Sequence, residues 1–123
     1  MPQLALELPA DKDAPARARD ALRRLTGGLG EDDQWRAAVI VSELVSNAVL
    51  HGPGSPVEIA FDCGGSGVRV TVSDPGPGIE RVRARAQPLA EGGRGLFLLD
   101  QLADGWGFVE DRSRVWFEVT ATA

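Results

Sequence analysis

The chain has 123 residues, 43% of them apolar and 25% charged, which is enough for one ordinary globular domain with a single core. Its net charge of −5 argues against a nucleic-acid surface, and no apolar run approaches the roughly 20 residues of a membrane span. The single cysteine, Cys63, excludes an internal disulfide and a cysteine-built zinc cluster.

The first eight residues lack the basic and long apolar regions of a signal peptide, so one cytoplasmic domain over residues 1–123 is expected. Leu4, Leu6 and Leu8 alternate with other residues and predict a first strand, which Pro9 ends. Residues 14–25 have helical spacing, and Gly27-Gly28 stops them. Asp32 or Asp33 can cap the next helix, which runs to about His51 and is terminated by Gly52-Pro53-Gly54. Residues 57–63 and 68–73 alternate on either side of Gly64-Gly65-Ser66-Gly67, which predicts a hairpin. Asp74-Pro75-Gly76-Pro77-Gly78 is a loop by composition, and residues 79–91 are Arg-rich and weakly patterned. Gly92-Gly93-Arg94-Gly95 leads into a short helix over 96–102, and two more strands follow at 106–109 and 115–120. Trp35, Trp106 and Trp116 fit either an exposed apolar interface or, the favoured reading, core packing. The order of elements favours an α+β, two-layer sandwich: a mixed, mostly antiparallel sheet with helices on one face.

Three stretches carry chemistry. Glu43 and Asn47 stand four residues apart in an apolar helix, so they share one face, and burying them costs free energy unless partners satisfy them. Magnesium takes one or two protein oxygens together with water and phosphates, which suits one Asn oxygen beside a carboxylate. The same pair also fits a solvated helix face. His51 continues the spacing and reads as a structural residue at the helix end. Asp74 follows a strand directly, so its carboxylate can accept from an exocyclic amine, while Gly76 and Gly78 allow a flat base to approach the backbone. A plain β-turn uses the same residues. In Glu91-Gly92-Gly93-Arg94-Gly95-Leu96, glycines leading into a helix make an anion site from free N–H groups and the helix dipole. A flexible loop has that composition too. Lys12, the lone lysine, has no glycine-rich stretch before it, so there is no Walker-type phosphate loop.

In combination and order, these motifs resemble the ATP-binding domain shared by gyrase B, the Hsp90 chaperones, histidine kinases and MutL. Within that group the chain is most similar to the stand-alone anti-sigma-factor serine/threonine kinases. The family's Glu-Leu-Val-x-Asn-Ala-x-x-His matches Glu43 to His51, and its Asp-x-Gly-x-Gly matches Asp74, Gly76 and Gly78. Its glycine loop matches Gly93, Gly95 and Leu96, and its closing Ala-Asp-x-Trp-Gly resembles Ala103 to Gly107. The resemblance implies a Bergerat-type ATP-binding fold. It implies magnesium on Asn47, adenine read by Asp74, a pocket lined by Gly76, Gly78 and Ile79, and phosphates approached by Gly93, Arg94, Gly95 and Leu96. Glu43 falls at the family's general-base position, acting on a serine or threonine hydroxyl of a small anti-anti-sigma protein. A sigma factor is the implied second partner, and a homodimer is within the expectation. Residues 79–91 are short for the family's lid. The competing reading is a non-catalytic ATP-binding module that regulates a sigma factor by sequestration.

Overall fold

In the computed structural model of the chain, the described residues are 3–51, 55–73, 94–109 and 114–122, excepting the side chains of 51 and 94–97. The elements are β1 (Gln3–Leu8), α1 (Ala14–Leu25), α2 (Glu31–His51), β2 (Val57–Gly64), β3 (Gly67–Ser73), α3 (Arg94–Leu102), β4 (Gly105–Phe108) and β5 (Arg114–Thr120). The five strands form one sheet in the order β1-β2-β3-β5-β4. Every pairing among them is antiparallel, so the mostly antiparallel sheet has no parallel pair among the described residues.

Alternation decides which face is covered. In β2, Val57, Ile59, Phe61 and Cys63 are buried while Glu58, Ala60 and Asp62 are exposed. Val68, Val70 and Val72 of β3 and Val115, Phe117 and Val119 of β5 continue the buried face. α1 and α2 pack there, α2 lying across β2, β3 and β5. Ala18, Leu22, Ile40, Val41 and Val45 fill the layer between, with Leu99 of α3 at 0% exposure. The two layers therefore follow from period-2 strands facing period-3.6 helices.

Element ends show which local signals decided. Pro15 sits in the first turn of α1, where its missing N–H is no loss. The helix ends at Thr26, whose N–H and hydroxyl both donate to the Leu22 carbonyl. Gln34 then donates to the carbonyls of Thr26 and Leu29, satisfying acceptors between the two helices. α2 begins at Glu31, so Asp32 and Asp33 lie inside its first turn and neither is the cap. Their charge still complements the positive end of the helix dipole.

Trp106 packs against the core as expected, whereas Trp35 and Trp116 depart from that role. Trp35 is 59% exposed on α2. Trp116 lies on the open face of the sheet, beneath the Arg69 guanidinium at 4.3 Å from the ring centroid. Gly107, its cross-strand partner, leaves room for that ring: a Cβ there would stand 3.0 Å from the indole nitrogen.

Candidate functional site

The candidate site is centred on the second half of α2. Glu43 and Asn47 stand one turn apart and are both half-buried, among the buried Val41, Leu44, Val45 and Ala48. Glu43 has an interaction partner of its own. The Asn47 Nδ2 atom is buried and has no hydrogen-bond partner among the described residues. An unpaired buried amide nitrogen costs about 1–3 kcal/mol, so this side chain calls for a partner that the described residues do not supply. Either end of an amide can face such a partner, the oxygen toward a cation or the nitrogen toward an anion. Among the described residues, no group of three or more His, Cys, Asp or Glu gathers to cage a metal ion. A magnesium ion carried on a polyphosphate needs no such cage, so Asn47 fits that ion.

Two further elements lead toward α2. β3 packs beneath it and ends at Ser73, whose buried hydroxyl donates to the Glu58 carbonyl and accepts from the Glu58 N–H, both at 3.1 Å. These bonds pin the strand that delivers the chain to Asp74. α3 also packs on α2. It begins at Arg94, two residues before the expected start, so Arg94, Gly95 and Leu96 form its first turn. Asp74, Gly76, Gly78, Ile79 and Gly93 lie outside the described residues, as do the side chains of His51, Arg94 and Leu96. A cleft of about 320 Å³, lined by Ala5, Glu58, Thr71 and Arg114 among others, opens on the sheet face away from α2 and takes no part in this site.

A polar cluster lies at the other end of α2. Asp33, 2% exposed, accepts the backbone N–H of Thr122 at 2.9 Å and its hydroxyl at 2.8 Å. It also accepts Arg36 Nη2 at 2.8 Å. The Thr122 amide first, then the Arg36 guanidinium, hold the Asp33 carboxyl down at a pKa of about 2. Arg36 is in turn driven upward, chiefly by its bond to Asp33. Its Nη1 donates to the Leu102 carbonyl at 2.9 Å and to Asp104 at 3.3 Å, and Nη2 reaches the Thr120 carbonyl at 3.3 Å. Asp104 accepts the Thr120 N–H at 2.6 Å, and Trp106 Nε1 donates to Asp100 on α3 at 2.8 Å. The one sequence signal for this cluster was the run Ala103-Asp104-Gly105-Trp106-Gly107, whose Asp and Trp now have structural duties.

Residues 8–118 match the family model described as the histidine kinase-like ATPase domain. The chain belongs to that family. It is 39% identical over 62 residues to an anti-sigma F factor from Anoxybacillus flavithermus, a match taking in 47% of this chain and 42% of that relative. A solved structure of the RsbU and RsbW domains of Rv1364c from Mycobacterium tuberculosis superposes with a TM-score of 0.68 at 24% identity. That superposition covers 98% of this chain and 32% of the other, and it establishes the fold. In this histidine kinase-like domain, the α2 face bearing Glu43 and Asn47 is the part of the expected site that the described residues bring together.

Proposed function

We propose that the chain binds magnesium-ATP and transfers the γ-phosphoryl group to a serine or threonine hydroxyl of a small anti-anti-sigma protein, acting as an anti-sigma factor on a sigma-factor partner. The observation that carries this reading is the Asn47 Nδ2 atom, buried without a hydrogen-bond partner among the described residues one turn beyond Glu43, in a chain of the histidine kinase-like ATPase family. The partial likeness to an anti-sigma F factor supports the choice of partners, and a cytoplasmic setting goes with them.

The roles follow from the chemistry of each group. When bound, magnesium neutralises phosphate charge, and Asn47 is the residue that would hold it. Asp74, directly after β3, would accept from the adenine amine, with Gly76, Gly78 and Ile79 against the base. The free N–H groups of the α3 first turn, preceded by Gly93, would face phosphate oxygens, with Arg94 adding charge. Glu43 would take the proton of the attacking hydroxyl as the new O–P bond forms and the bond to ADP breaks.

The test is thermal denaturation across millimolar magnesium-ATP, followed by transfer of labelled phosphate to a small partner protein that co-purifies with the chain. A ligand that binds only the native state must raise the melting temperature. A melting curve unmoved by nucleotide overturns the site. The shortness of residues 79–91 favours one alternative, ATP binding with sequestration and no turnover; a clear thermal shift with no labelled product would select it.

A further inference from the structure

α3 is held at its C-terminal end by side chains of α2 and β4. Arg36 of α2 donates to the last carbonyl of the helix, that of Leu102, and to Asp104 just after it. Asp33 fixes the guanidinium from behind, and Asp33 is itself fixed by Thr122. Trp106 holds Asp100, one turn back, and Leu99 is fully buried beneath the same turn. A planar guanidinium that meets three separate acceptor groups and its own carboxylate has little freedom to reorient.

The helix is nine residues long, about 13 Å at 1.5 Å per residue. A tilt of about 5° at the clamped end therefore carries the first turn by about 1 Å. A shift of that size is enough to spoil contacts that depend on alignment. We propose that Arg36 is a positioning residue for the nucleotide phosphates: by tying Leu102 to α2, it sets where the first turn of α3, at Arg94-Gly95-Leu96, meets them. The inference rests on the ATP-binding reading above. Arg36 touches no substrate and acts only through the helix it clamps.

The full-length chain and its Arg36→Gln, Arg36→Lys and Asp104→Asn variants would be titrated calorimetrically with magnesium-ATP and, separately, with adenosine. The temperature is chosen so that circular dichroism shows all four folded. Arg36→Gln should weaken magnesium-ATP on the order of tenfold while adenosine affinity stays within about twofold, because only the phosphates meet α3. Arg36→Lys keeps the charge but not the fork, so it should fail to rescue. Hydrogen exchange should be faster in the α3 amides of both Arg36 variants than in the parent. A parent chain that binds neither ligand ends the ATP reading and this inference with it. A parent that binds, with variants that match it for magnesium-ATP or that lose both ligands equally, overturns the clamp and leaves the ATP site standing. Should the Arg36 variants fail to fold, Asp104→Asn carries the same comparison with a smaller expected loss.

Discussion

Thr122 donates both its backbone N–H and its hydroxyl to the carboxylate of Asp33, across 89 residues of chain. These bonds need the charged carboxylate. Its pKa is lowered from 3.8 to about 2, so the stability it contributes is complete above the unfolded value and fades as pH falls through the folded one. The melting temperature of the parent should therefore fall steeply between about pH 5 and pH 2. Asp33→Asn should start lower at the upper end of that window and converge on the parent at the lower end. Parallel curves for the two proteins would show that Asp33 is not the responsible group.

Gly67 closes the β2–β3 hairpin at a φ of +143°, opposite Gly64. A Cβ at this position would run into the Val119 carbonyl oxygen and stand 2.9 Å from the Thr120 Cα. Both are backbone atoms of β5, so nothing flexible gives way. Gly67→Ala should lower stability by about 1–3 kcal/mol, the usual range for a residue held in a disfavoured backbone region. Urea denaturation would show a lower midpoint at unchanged slope.

The strands and helices were legible because each obeys one period. Leu4, Leu6 and Leu8, the two alternating halves around Gly64 to Gly67, and residues 14–25 all fall within a residue or two of the observed elements. The helix now called α3 begins earlier than Leu96 because its apolar pattern starts only there, while Arg94 and Gly95 can enter a first turn without a pattern. Glu43 and Asn47 were legible as polar groups at i and i+4 in an apolar run. Arg36 was not. Its partners Asp33, Leu102, Asp104 and Thr120 are spread over most of the chain, and two of the groups it bonds are backbone carbonyls, which leave no trace in side-chain identity. Trp35 misled for the opposite reason: a large apolar side chain suggests the core, yet apolar surface on a folded protein is normal.

Cys63 packs on the covered face of the sheet, and its thiol donates to the Leu25 carbonyl at 2.9 Å. Burial first, then the neighbouring Asp62 charge, push the thiol pKa up and keep the sulfur protonated. A water-soluble disulfide reagent should leave the native protein unlabelled at neutral pH and label one thiol per chain once denaturant is added. Stoichiometric labelling before the unfolding transition would contradict the buried, bonded sulfur.

Glu43 separates the kinase from the sequestration reading. Under the kinase reading, Glu43→Ala should bind magnesium-ATP like the parent and lose about 10² to 10⁴-fold in the rate of labelled phosphate transfer, the usual contribution of a positioned general base. Both halves need measuring, since a variant that loses binding as well would make Glu43 a ligand contact. Transfer at the parent's rate would remove it from the chemistry.

Asn47 carries the opposite signature, because its amide nitrogen is buried without a partner among the described residues. Asn47→Ala removes a polar atom that the described residues leave unsatisfied. The ligand-free variant should therefore melt at the parent's temperature or above it, against the usual trend for core substitutions. With magnesium-ATP present the order should reverse. At a hundredfold excess over Kd, a bound ligand stabilises the parent by about 2.7 kcal/mol, and each tenfold loss of affinity removes about 1.4 kcal/mol of that. Two melting series, with and without magnesium-ATP, decide the matter. A variant that is destabilised without ligand and shifted normally with it would make Asn47 a structural residue. A variant at least as stable as the parent, with a shrunken nucleotide shift, would identify a group that costs the empty fold some stability and recovers it only on binding.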